Sequence, residues 1–251
     1  MDPTARPSEL SVEIRPGVRR PDWSAITEPQ ARRALAGRLA SRAGLLNRWA
    51  VKLGDDEDLL WRTILWLYVE LGCAPTRTEM AARTGVPDAR LSTLLASLRS
   101  HDLIDLDDVT GEVMLAYPFT EAATGHRIHF GKHTLNALCA IDALGVAAMY
   151  RRGISISSRC HQCGSPIHVE TRAQGERLRS TQPRGAVVWY DFAYDGSAAS
   201  SCCPAIAFFC SEEHRREWCG TQSPPRAGID LTMGEATQVG SAIFGPILMP
   251  G

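Results

Sequence analysis

Two cysteines and one aspartate have the residue types and spacing to do chemistry. Cys139 and Asp142 stand three residues apart in LNALCAIDALG, and Cys202 follows in SSCCPAIAFF. Side chains at i and i+3 of a helix share one face, with Cβ atoms roughly 5–6 Å apart. Thiolates bind soft metals, and a carboxylate beside them can move protons. If the fold brings Cys202 to that face, the three groups could hold a soft metal and protonate whatever is bonded to it. Spacing alone leaves a second reading open, in which Cys139 is a small buried hydrophobe beside an aspartate that caps a neighbouring loop.

A second set is separate in sequence. Cys160-His-Gln-Cys163-Gly is a C-x-x-C-G turn, and Cys210-Ser-Glu-Glu-His214 is a C-x-x-x-H pair at a strand-to-helix junction. Four N/S ligands at such spacings suit tetrahedral zinc, so Cys160, Cys163, Cys210 and His214 are the candidate ligands of a structural zinc. Cys219 and His161 are possible substitutes. Reduced core thiols are the alternative.

Around these residues the chain reads as α+β. Residues 1–27 carry Pro3, Pro7, Pro16 and Pro21 among several arginines and read as a flexible or loosely docked extension. Helical periodicity runs over 28–53 through Leu35, Leu39, Ala43, Leu46 and Trp49, and again over 56–71. Thr76 or Thr78 can cap a short helix that Gly85 ends, Pro87 opens another up to Ser100, and 103–106 with 112–117 form a hairpin. Two helices in a tight turn and a hairpin make a winged-helix pattern, so residues 28–120 are expected to form a helical, winged-helix-like module. Its candidate recognition helix offers Arg90 and Arg99 but also Asp88, few cations for phosphate contacts; nucleic acid is an unlikely partner.

The texture changes near 119–129. A helix is expected over 132–150, carrying Cys139 and Asp142. Short strands follow at 154–158, 167–171, 186–190 and 204–209, then a helix at 212–219 and another in DLTMGEATQVGSAIFGPIL. All candidate chemistry falls in a 127–251 domain. Cys203, next to Cys202 in a strand, would point to the opposite face and pack. Cys73, Trp61, Trp66, Trp189 and Trp218 read as core, and His126, His129 and His133 as surface residues or pocket lining.

Composition bounds the function classes. The net charge of −1 gives no global field toward nucleic acid or anionic membrane. The lack of a long apolar run argues against a membrane span, and the proline- and arginine-rich N-terminus against a secretory signal. A cytoplasmic location is expected, where thiols and metal ligands outnumber disulfides.

The text from His133 to Cys160 resembles the active-site segment of the alkylmercury (organomercurial) lyases. The resemblance places Cys139 and Asp142 in that family's Cys-x-x-Asp run, Ser157, Ser158 and Cys160 at its following strand, and Cys202 in the place of its second catalytic cysteine, ahead of Phe208 and Phe209. Leu138 and Ser201 stand where many members have Trp and Phe. The family's degenerate winged-helix module fits residues 56–119, so a lyase-like domain of short antiparallel strands and helices is expected after it. The resemblance implies protonolysis of a carbon–mercury bond: Cys139 and Cys202 bind mercury, and Asp142 shuttles the proton. No added cofactor is implied. The expected partners are an organomercurial substrate and cellular thiols, or a dithiol protein, that take up Hg(II). The alternatives are a lyase-fold enzyme turned to another carbon–heteroatom or organometal substrate, and a soft-metal sensor or chaperone without catalysis.

Overall fold

The buried thiols at Cys139, Cys202 and Cys203 stand at strand ends of two sheets and at the head of one helix. The computed structural model describes residues 21–41, 53–172, 174–175 and 177–249. Most of the N-terminal extension and the 42–52 part of the first expected helix lie outside the described residues.

The helical first part follows its local signals. Helix α1 spans Pro29–Ser41. Helix α2 spans Asp55–Leu71, with four acidic residues in its first turn against the positive end of the helix dipole, and Gly72 ends it in the left-handed region at φ 85°. Helix α3 (Arg77–Thr84) opens on a capping box between Thr76 and Glu79. Helix α4 spans Asp88–Ser100. Its cations are met within the protein: Arg90 pairs with Asp56, and Arg99 with Asp105 and Asp108. Because Gly72 turns the chain outward, Cys73 is exposed rather than core. Trp66 is likewise on the exposed side of α2, whereas Trp61 is buried.

Strands β1 (Ile104–Leu106), β2 (Val113–Ala116) and β3 (Phe119–Thr120) lead into β4 (His126–Phe130), β5 (His133–Ala137), β6 (Ser155–Arg159), β7 (Pro166–Thr171) and β8 (Leu178–Gln182). They form one antiparallel sheet in the order β1-β2-β3-β5-β4-β6-β7-β8. A smaller antiparallel sheet holds β9 (Val187–Asp191) between β10 (Ala207–Phe209) and β11 (Gly228–Thr232). The fold is thus α+β, helices followed by antiparallel strands. Among the described residues no helix is long and apolar enough to cross a membrane.

Helix α5 (Ala140–Met149) is buried on every side. Helices α6 (Glu212–Thr221) and α7 (Met233–Phe244) follow β10 and β11. Helices α5 and α7 cross where Gly145 meets Gly240. A Cβ on Gly240 would sit 2.9 Å from the Gly145 nitrogen, and one on Gly145 would sit 2.3 Å from Phe244 Cδ2. Two absent side chains therefore let the helices approach. The segment before α1 docks on α7: the Asp22 amide donates to the Ala242 carbonyl at 2.7 Å, and Gln238 Oε1 accepts from the Thr27 and Glu28 amides.

Two expectations change here. Residues 133–137 are strand β5 rather than helix, because His133-Thr-Leu-Asn-Ala137 alternates and pairs with both β3 and β4. And the segment expected as a strand from Pro204 is first a 3₁₀ turn, Cys203–Ala205, with extended backbone only from Ala207.

Candidate active site

Cys139 is the N-cap of α5, not a residue within it. Its extended backbone (φ −143°, ψ 176°) leaves the sulfur facing the first turn, where Sγ accepts the Asp142 amide hydrogen at 3.4 Å. The i, i+3 relation read from sequence survives as a cap: thiol and carboxylate meet at the positive end of the helix. Both are buried, at 2% and 4% exposure.

The thiol pair arrives from the turn before β10. The Ala140 amide donates to the Ile206 carbonyl at 3.0 Å, which ties the head of α5 to that turn. The Cys139 Sγ, an Asp142 carboxylate oxygen and the Cys203 Sγ all lie within 4.8 Å of one another. Cys203 is thus not on an opposite face: in a 3₁₀ turn the two-residue alternation of a strand does not apply. Cys202, fully buried, directs Sγ to the Ala198 carbonyl at 3.6 Å and adds its charge, when ionised, to the field at Asp142.

Burial governs the electrostatics. It pushes the Asp142 carboxyl up to about 7, against a hydrogen bond from the Cys139 thiol and the positive charge of Arg38. One carboxylate oxygen, Oδ2, has no hydrogen-bond partner. Burial also raises the Cys139 thiol, opposed by a hydrogen bond from Cys203. Hydrogen bonds to Cys139 and Cys202, together with burial, hold Cys203 well above the ordinary thiol range. Burial thus disfavours the thiolate at both Cys139 and Cys203, and Asp142, pushed up to about 7, is poised to take a proton and return it.

Cys139, Asp142 and Cys203, but not Cys202, line a cavity of about 20 Å³, room for roughly one water. Its other walls come from distant parts of the chain: Arg38, Asp102, Tyr117, Ile243 and Phe244 among them. None of these was singled out from sequence. Arg38 carried a signal, a cation three and four residues after the buried Leu35 and Ala34, on the apolar stripe of α1. Its Nη1 donates to the Tyr190 hydroxyl at 2.9 Å. Asp102, in the left-handed region at φ 55°, accepts from the Tyr194 hydroxyl and the Ala198 amide, both at 3.1 Å. The Cys203 amide in turn donates to the Ala198 carbonyl at 3.0 Å, so Asp102 anchors the loop that delivers the thiol pair. A larger open groove of about 1050 Å³ lies beside β6 and β7 and includes His129, Glu170 and Arg179; it holds none of the thiols, so size is a poor guide to the chemistry here. His126 packs on Phe208 and bonds Ser158, and His129 bonds Ser157 and Thr134; neither lines the small cavity.

The second set also converges. Cys160, Cys163, Cys210 and His214 present donor atoms within 4.8 Å of one another. They stand where β6 ends and where β10 passes into α6, whose N-cap Ser211 accepts from the His214 amide.

Comparison with known proteins points in one direction. The profile of the MerB alkylmercury lyase family matches residues 119–245. The chain is 29% identical to an alkylmercury lyase of Staphylococcus epidermidis over 162 residues, 64% of this chain and 71% of that protein. It is 28% identical to one of Bacillus cereus over 166 residues, covering 66% and 72%, and 24% identical to one of Streptomyces lividans over 191 residues, covering 75% and 83%. The crystal structure of the mercury-bound form of MerB2 is similar in fold, with a TM-score of 0.67 and 26% identity over 84% of this chain and 98% of that one.

Proposed function

Because this chain belongs to the alkylmercury lyase family, we propose that it cleaves a carbon–mercury bond by protonolysis, with Cys139 and Cys202 binding mercury and Asp142 carrying the proton. The arrangement of Cys139 and Asp142 supports this reading most: a thiol that caps a helix by accepting the Asp142 amide, beside a buried carboxyl that burial pushes up to about 7.

The substrate is an organomercury thiolate. The Cys139 thiol passes its proton to Asp142 as its sulfur bonds to mercury. The second thiol bonds in turn, and its proton leaves with the displaced thiolate as a free thiol. Asp142 then protonates the carbon, the carbon–mercury bond breaks and the hydrocarbon departs. Hg(II) remains on two thiolates. Mercury is soft and prefers sulfur to carboxylate or water, so Asp142 stays free for proton transfer, and release of Hg(II) calls for thiols or a dithiol protein as competing ligands. Two thiolates raise electron density on the metal and ease the departure of carbon. No step requires a further cofactor.

A second reading of the sulfur pair rests on geometry. Cys203, not Cys202, has its sulfur within 4.8 Å of both Cys139 and Asp142, whereas the family resemblance puts Cys202 in the role. The two are neighbours in one turn, and single serine variants separate them. An alkylmercury is larger than the cavity, so the walls must part for it to enter.

The test is direct. The full chain with excess thiol and methyl- or phenylmercury thiolate is expected to release hydrocarbon and Hg(II) in equal amounts over many turnovers. No turnover under those conditions would sink the proposal.

A further inference from the structure

We infer that Cys160, Cys163, Cys210 and His214 hold one structural zinc ion that staples the large sheet to the small one, apart from the mercury-handling thiols. Cys160 follows β6 of the eight-stranded sheet, and Cys163 closes the tight turn beyond it. That turn is built to fold back: the Cys160 amide donates to the Ser165 carbonyl, and the Gly164 amide to the Cys160 carbonyl, each at 2.8 Å. Gly164 sits at φ +73°, which L side chains rarely adopt. Cys210 follows β10 of the three-stranded sheet, and His214 lies in the first turn of α6.

The donors match tetrahedral zinc. Zinc–sulfur bonds of about 2.3 Å and zinc–nitrogen bonds of about 2.0–2.1 Å give ligand-to-ligand edges of roughly 3.5–3.8 Å. The Cys163 and Cys210 sulfurs are 3.7 Å apart, and Cys160 Sγ is 3.8 Å from His214 Nδ1. The remaining short edge, 2.9 Å between Cys210 Sγ and His214 Nδ1, is a thiol–imidazole hydrogen bond; an ion entering the cluster replaces that proton and opens the edge. Three sulfurs and one nitrogen, with no fifth donor grouped with them among the described residues, make a closed structural site rather than a catalytic one.

Its place in the fold says what it does. Cys210 lies eight residues after Cys202, at the far end of the strand that leaves the thiol turn. Between the two sheets at this point the His161 amide donates to the Phe208 carbonyl at 2.9 Å. A zinc ion joins the same two segments by four further bonds, and so fixes the strand that follows Cys202 and Cys203.

Metal analysis of the purified full chain decides the matter without reference to lyase activity. The expected result is about one zinc per chain, retained in Cys139→Ser and Cys202→Ser and lost in a Cys163→Ser, Cys210→Ser double variant. Since that double variant may not fold, the intact chain is also loaded with cobalt(II) in place of zinc, where tetrahedral thiolate coordination gives intense visible d–d and sulfur-to-metal charge-transfer bands. Stripping zinc with a chelator is expected to lower the melting temperature by several degrees or more. An intact chain that takes up neither zinc nor tetrahedral cobalt overturns the inference, as does zinc that survives the double substitution or is lost with Cys139 and Cys202.

Discussion

The Asp142 amide donates to the Cys139 sulfur at 3.4 Å, so the thiol caps the helix that carries the neighbouring carboxyl. One turn of backbone fixes the sulfur, the carboxyl and the helix dipole relative to one another. Burial then works on both groups in the same direction, toward the neutral form, and leaves the carboxyl near 7.

Asp142→Asn is expected to lower turnover by 100-fold or more, the usual scale for loss of an acid–base group, while the thiols still bind Hg(II). Stoichiometric binding without hydrocarbon release is the signature to measure.

The same carboxyl links stability to pH. An aspartate ionises near 3.9 in the unfolded chain, and Asp142 near 7 in the folded one. Below about pH 4 it is neutral in both states. As pH rises from there through 7, the unfolded state loses its proton first and stability falls, levelling above the folded value. Asp142→Asn removes that slope. Urea unfolding is expected to show the variant gaining on the parent at pH 8 relative to pH 4, by at most a few kcal/mol. A difference that does not change with pH would show that the carboxyl is not held neutral.

Cys202→Ser and Cys203→Ser separate the two candidates for the second thiolate. With Cys202 in that role, Cys202→Ser abolishes turnover and Cys203→Ser keeps most of it. The reverse ranking assigns the second mercury bond to Cys203, whose sulfur lies nearer the cap. Single-turnover hydrocarbon release measures both.

Arg38 faces Asp142 across the cavity and favours its charged form. Arg38→Met is expected to move the Asp142 ionisation, read from the pH dependence of kcat, upward by roughly one unit, since loss of a nearby opposite charge raises a carboxyl pKa. Arg38→Lys should recover part of the shift. A variant with lower activity but an unmoved profile would make Arg38 a packing residue.

Much of this arrangement was legible in the chain, and the remainder had physical reasons to be hidden. The helix signals at Thr76 and Gly85 are local, and a helix begins after the first and ends at the second. The run from Lys132 to Tyr150 reads as one helix because its apolar residues also fit a 3.6-residue period, yet pairing with β3 and β4 claims residues 133–137 as strand; cross-strand partners are not visible within a segment. The Cys202–Cys203 segment reads as strand from the apolar run that follows it, whereas Pro204, fixed in φ and lacking an amide donor, marks the 3₁₀ turn. Arg38 and Asp102 join the site from far away in sequence. Only the finished fold shows that Arg38 belongs to Asp142, and that Asp102 anchors the loop behind Cys203.

The backbone behind the thiol turn depends on a buried carboxylate and its partly exposed cation. Asp191 is fully buried and takes two hydrogen bonds from Arg226, at 2.6 and 3.1 Å, and Arg226 Nη2 also donates to the Ser201 carbonyl at 3.3 Å. Arg226→Met leaves the carboxylate without its cation and is expected to cost about 3 kcal/mol, the lower part of the usual range, because the Trp189 and Ala193 donors remain. Adding Asp191→Asn should restore part of it. Chemical denaturation of Arg226→Met, of Asp191→Asn and of the double variant checks the coupling.

The crossing of Gly145 and Gly240 sets more than the distance between two helices. Phe244 lies against Gly145 and is also a wall of the cavity. A chamber with room for about one water changes its capacity with the addition of a single methyl group nearby. The room in the chamber is therefore set in part by a glycine contact one helical turn from Asp142. Exchanging one hydrogen for a methyl at either glycine pushes on Phe244 or on the facing backbone, and so reshapes the chamber beside the sulfur and the carboxyl.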